Sequence, residues 1–411
     1  MPRVGVPAPF RLVAAYLVGA LVCWLAASVA LLLGADELAA GLVASPDVLL
    51  AVHLLGLGFL PLAVAGAALH VLPTFLRASP DARLGWAGLV LLAAGPFLAV
   101  GIARDAHVLA RACAVLVAVG LAVLALQLAL LLVRSPRGKL PLASRFGVGA
   151  SALHAVLAFA VGRLLLSTGW RPALGVPHER LIAIHLHLAA IGWLTLLIVT
   201  VGRALAPMLA LAPAEPLRRV PGAEIVLTGG VWIGVAGFWV GSRAFVAAGA
   251  AILVAGLARF VALVVRAARL RRTEAMEGPI AHFLAGLLFL AQAGALAVAL
   301  LAGTPRPRPL AAYAILLLAG WAAGITIGHA GKLLSLSAWT SWPPGPRPKQ
   351  AFFYDGRVWI AEAAAFAAGI EALAAGVLLG SAGLARVGAS LLLCSAAAAF
   401  AGAVVTLRRS T

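Results

Sequence analysis

His53-Leu-Leu-Gly-Leu-Gly58-Phe59, His187-Leu-Ala-Ala-Ile-Gly192-Trp193 and Ile315-Leu-Leu-Leu-Ala-Gly320-Trp321 are three copies of one phrase. In each copy a Gly-aromatic pair begins five residues after the first position. A Pro or Ser follows 20 residues after it, at Pro73, Pro207 and Ser335. A phrase recurring at fixed spacing marks an internal repeat, and a repeat decides architecture before any single residue does. It predicts three equivalent long helices, with His53, His187 and Ile315 at similar depth around an approximate threefold axis.

The surroundings of the repeat settle the solvent. Of 411 residues, 64% are hydrophobic and only 11% are charged. Long apolar runs cover nearly the whole chain, which reads as one polytopic transmembrane domain, residues 1–411, embedded in a lipid bilayer. The first apolar stretch lacks a small-residue cleavage site before a polar mature domain, so it reads as a permanent span. A net charge of +18 would suggest nucleic acid in a soluble protein. Here basic loops that orient the chain in a membrane explain it, and no nucleic-acid partner is expected. Cys23, Cys113 and Cys394 lie far apart in apolar runs and form no disulfide framework.

Windows long enough to cross a bilayer predict twelve spans, near 11–34, 47–76, 84–103, 107–133, 146–166, 181–209, 222–241, 244–268, 279–303, 309–336, 357–379 and 382–407. The fold class is therefore all-α, with the repeat on spans two, six and ten. Ser135-Pro136-Arg137-Gly138 and Pro343-Pro344-Gly345-Pro346 punctuate the count clearly, and Gly241-Ser242-Arg243 does so most weakly. With these boundaries 22 of the 31 Lys and Arg fall on the side holding both termini. The positive-inside rule places that side in the cytoplasm, and the protein in a cell's inner membrane.

Topology then turns position into depth, at about 1.5 Å per residue. His53, His185 and His187 fall toward the outer face, with His107 and His178 solvated beside them. His329 lies 14 residues beyond Ile315 on span ten, deeper in the membrane. His70, His154 and His282 read as boundary residues. A neutral imidazole ligates iron, copper or zinc through one nitrogen while the other needs a partner. His53 and His187 are thus candidate ligands of a haem or metal; the other reading is a pair of buried histidines bonded to backbone or to one another. His185 is a ligand or supports one. His329 is a candidate ligand or an interface residue near Lys332.

The Gly-aromatic pair has two readings. The glycine admits a flat macrocycle against the backbone, or it admits a neighbouring helix. Glu362 and Glu371 lie inside span eleven, where a charge is costly and defaults to a functional role. Glu371 is a candidate for carrying protons to a buried site, or else an ion-pair partner of Arg163, Arg243 or Arg111. Arg163 is a candidate for holding a haem propionate, since its guanidinium matches a carboxylate.

Twelve spans, both termini inside and a threefold repeat on spans two, six and ten resemble subunit I of the haem–copper oxidases and nitric oxide reductases. The segments from His53 to Phe75 and from His185 to Met208 also look like NnrS-type proteins, their haem- and copper-containing relatives linked to nitric oxide stress. The resemblance implies a b-type haem, with copper as a second metal. His53 matches the span-two histidine that ligates the low-spin haem. His185 or His187 occupies the region that supplies a ligand of the second metal. The chain departs from the pattern where Val231-Trp232-Ile233 replaces a His-His pair in span seven, and where Ile315 replaces a histidine. Electron transfer or nitric oxide handling with an electron-donor protein is therefore expected, rather than four-electron oxygen reduction. A cofactor-free transporter, or an assembly subunit on the same scaffold, is the competing class.

Overall fold

The computed structural model describes residues 8–135, 142–166, 175–209, 212, 222–270, 277–303 and 306–410. Among these residues every regular element is helical. Twelve helices are long and apolar enough to cross a membrane. They are α1 Phe10–Leu33, α2 Pro46–Thr74, α3 Ala82–Ala103, α4 His107–Arg134, α5 Arg145–Leu165, α6 His178–Arg203, α7 Gly222–Val240, α8 Arg243–Ala267, α9 Gly278–Ala302, α10 Pro307–Thr340, α11 Gly356–Leu379 and α12 Ala382–Ser410. The protein is a multi-pass membrane protein. Helices are the economical solution because hydrocarbon offers the backbone no hydrogen-bond partner. The expected Gly241 break is a genuine helix end, with the glycine in the left-handed region at φ 75°.

The chain divides into two compact units, one of residues 1–136 with 276–411 and one of residues 137–275. The first contains α1–α4 and α9–α12, the second α5–α8. Each group of four helices repeats the same internal contacts, so the repeat extends well beyond the phrase that reveals it.

Within each group, the first helix crosses the second at two matched levels. A Cβ built on Gly58 would lie 2.9 Å from Cys23 Sγ, one on Gly192 would lie 2.7 Å from His154 Cγ, and one on Gly320 would lie 2.9 Å from Phe289 Cβ. Eight residues further along come Gly66, Thr200 and Gly328. Seven residues back along the first helix come Tyr16, Gly147 and His282, and these are their partners. The side without a side chain alternates between the helices, and the close crossing is preserved.

The third and fourth helices of each group form a hairpin at equally matched positions. Gly101 abuts Ala110, Gly237 abuts Val246, and Gly376 abuts Ala385. Four residues after each of these glycines the chain turns through a left-handed residue: Asp105, Gly241 and Gly380. Arg180 at the start of α6 lies against Gly241, and Arg308 at the start of α10 lies against Gly380. A cation there faces the negative end of a helix. In the first group the corresponding link is the Arg104–Asp47 ion pair, 2.9 Å.

Candidate functional site

The repeated phrase folds as a π-helical turn in all three copies, over Leu54–Phe59, Leu188–Thr195 and Ile315–Ala323. Such wide turns are rare and cluster at functional positions. The residue before the first two turns is a histidine. His53 donates Nδ1–H to Leu49 O at 2.8 Å, and His187 donates Nδ1–H to Ala183 O at 2.7 Å. Both side chains are half-buried. A carbonyl one helical turn back fixes the tautomer and sets the ring's orientation. His187 also packs 4.8 Å from Phe238, centroid to centroid.

His185 belongs to a different contact. Its Nδ1 bonds Ala158 O on α5 at 2.8 Å, and its ring lies over Gly162, the neighbour in sequence of the half-exposed Arg163. His329 donates Nδ1–H to Ile325 O at 2.7 Å, the same i−4 geometry as His53 and His187, but on α10 and well past its π turn. Glu371 Oε1 accepts a hydrogen bond from Gln292 Nε2 on α9 at 2.8 Å. His107 and His178 are exposed, as expected.

Three expectations change. The glycines of the Gly-aromatic pairs receive a neighbouring helix and offer no cradle for a macrocycle; Cys23, His154 and Phe289 fill those places. Gly56, one turn of sequence past His53, has open space beside it instead. Second, His70, His154 and His282 are buried rather than at the boundary. A histidine near a helix start is covered when another helix crosses there, which sequence position alone does not report. Third, His282 and Glu362 are partners rather than separate residues. His282 Nε2 lies 2.6 Å from Glu362 Oε2, and Ser395 Oγ donates to Glu362 Oε1 at 2.7 Å. All three side chains are fully buried.

This contact sits on a tier that each group of four helices closes with polar atoms. In the first, Tyr16 donates its hydroxyl to Gly85 O at 2.9 Å. In the second, Arg203 Nη1 reaches both oxygens of Glu224, at 2.7 and 2.8 Å. In the third it is His282–Glu362–Ser395. Glu224 is a buried carboxylate whose partner lies 21 residues earlier in the sequence, and nothing local signals it.

By donor chemistry, His53 and His187 are the residues that would hold a haem iron: each is an imidazole whose Nδ1 is held by a carbonyl beside a wide turn. Among the described residues no three His, Cys, Asp or Glu side chains converge as a metal-binding set. His185 and His187, two residues apart on α6, lie on different faces of the helix and make separate contacts.

No protein-family model matches the chain, and no curated protein matches it in sequence. In structure it is similar to a haem–copper terminal oxidase determined by cryo-EM as a dimer. The TM-score is 0.57 at 13% identity, over 96% of this chain and 84% of that one. At that identity the likeness concerns the fold alone.

Proposed function

We propose that this protein is a haem-binding redox protein of the cytoplasmic membrane, with both termini in the cytoplasm and with His53 and His187 as ligand positions, one in each unit. The single observation that supports it most is their shared local geometry. Two histidines at the same place in a repeat each precede a π turn and each direct Nδ1 to the carbonyl four residues back. A b-type haem, when bound, supplies a one-electron iron couple. The chain's own residues would orient such a group within each unit: the Leu49 carbonyl holds the His53 ring in one, and the Ala183 carbonyl holds the His187 ring in the other, where Arg163 offers a guanidinium to a propionate. His185, tied to α5, is the residue that would serve a copper ion. Glu371, held by Gln292, is the carboxyl that would carry protons to or from such a centre. The role is electron transfer, with a donor protein as partner.

The test is an optical spectrum of protein purified anaerobically from cells supplied with haem precursor, together with metal analysis. A Soret band that shifts on reduction, with stoichiometric iron, is the expected result. Protein that is folded and free of haem, and that takes up none on reconstitution, would favour the transporter reading.

A further inference from the structure

The tier of buried polar contacts differs between the three groups of helices in one respect, its capacity to change charge. Tyr16 closes the first as a neutral phenol donating to a carbonyl. Arg203 and Glu224 close the second as a permanent ion pair, because a guanidinium keeps its proton in proteins. The third is built from an acid and a base, both of which can exchange a proton.

We propose that His282, Glu362 and Ser395 form a membrane-buried proton-binding site, in which His282 Nδ1 is the atom that takes up the proton. Both carboxylate oxygens of Glu362 are engaged, Oε1 by the Ser395 hydroxyl and Oε2 by His282 Nε2. With a neutral imidazole donating Nε2–H, the cluster carries one negative charge in an apolar interior. His282 Nδ1 is then a buried lone pair without a hydrogen-bond partner among the described residues. Adding one proton at Nδ1 makes an imidazolium against a carboxylate and brings the cluster to zero net charge. No other bond has to break: hydronium gives the proton, and water leaves.

The neighbours do not supply that charge otherwise. From α10 the facing groups are His329, held by Ile325 O, and Lys332. Lys332 is committed to Glu277 at 2.9 Å. Ahead of α11 stands Tyr354, stacked flat on Trp359 with ring centroids 6.0 Å apart and Lys332 4.6 Å above its ring. Burial, with Glu277 and Glu362 adding to it, pushes the Tyr354 phenol above its ordinary range, so it stays a neutral O–H. From α12 comes only Ser395 among the polar contacts described. A polar cluster where Leu or Phe would pack well defaults in a membrane to a functional role.

The site also has an approach. Glu362 is six residues into α11, about 9 Å from its first residue. The half-exposed Glu277–Lys332 pair stands near that end. Ser335 and Thr406 both donate to Phe353 O, at 2.9 and 2.8 Å, and pin the connecting loop there. Phe366 packs against the His282 ring, 5.0 Å from centroid to centroid.

The inference does not depend on whether haem binds, and its test does not use haem. The full chain reconstituted in lipid would be studied by infrared difference spectroscopy between about pH 5 and about pH 9, the range in which imidazoles exchange protons. Uniform ¹⁵N-histidine labelling identifies the ring bands. The wild type should show a neutral-to-imidazolium change that is absent from Glu362→Gln, with the rest of the spectrum and the helix content retained. Ser395→Ala keeps the acid and the base, so it should keep the signal and displace its midpoint by about one pH unit through the lost hydrogen bond. His282→Gln should remove the same bands. An identical histidine signal in wild type and Glu362→Gln, or no histidine signal in folded wild type, would overturn the proposal.

Discussion

The backbone of Gly192 lies directly against the imidazole of His154: a Cβ there would stand 2.7 Å from the ring's Cγ. A repeated Gly-aromatic phrase that reads as a cofactor cradle is therefore, at its glycine, a helix crossing. Gly192→Val should lower thermal stability in detergent by about 1–3 kcal/mol, the usual penalty for overpacking. Gly56→Ala, with nothing within 4 Å of the new methyl, should melt within error of wild type. Equal losses in both would mean that the crossing is not where the strain arises.

The α11–α12 hairpin depends on a closer approach still. A Cβ on Gly388 would come 2.3 Å from the Leu373 backbone nitrogen, and backbone yields less readily than side chains. Gly388→Ala should cost about 2 kcal/mol or more and open the hairpin to proteolysis near Ser381. Gly383→Ala, on the same helix and facing open space, is the matched control. Unchanged protease resistance in Gly388→Ala would rule out the tight hairpin.

Arg203 and Glu224 form an ion pair almost out of solvent. Glu224→Gln leaves the guanidinium buried without its counter-charge and should destabilise the protein by about 3–5 kcal/mol. The double variant Arg203→Met with Glu224→Leu should recover most of that loss, because two apolar side chains need no counter-charge. Chemical denaturation in mixed micelles measures both. A double variant as unstable as the single one would point to a role for the charges beyond mutual compensation.

Under the proposed function, His53→Ala and His187→Ala should each remove or alter a haem spectrum, since each deletes an imidazole already oriented by a carbonyl. The exposed His178 serves as the control, and His178→Ala should leave the spectrum as it was. Haem content unchanged in both ligand variants would transfer attention to His185 and His329.

Orientation is open to a direct check. A reporter fused after Thr411 should report the cytoplasm, and one inserted near Asp36 should report the opposite side, as the skew of basic residues requires. A C-terminal reporter on the outer side would invert the orientation, without altering the His282 site itself.

The residues alone were enough for twelve spans, the all-α class and the repeat on α2, α6 and α10. These follow from one-dimensional signals: apolar run length against bilayer thickness, breaks at Gly and Pro, and the fixed interval from His53 to Pro73 and from His187 to Pro207. The same signals singled out the two histidines that the π turns later framed. The π turns themselves were not legible, because an extra residue per turn is inserted in answer to what packs alongside. Packing also decided which side chains occupy Gly58, Gly192 and Gly320. It paired His282 with Glu362, 80 residues away in the chain. A histidine four residues into a helix and a glutamate six residues into another look like separate boundary residues until the helices cross. Only the crossing removes water from both, and it is the removal of water that turns an acid and a base into a proton-binding site.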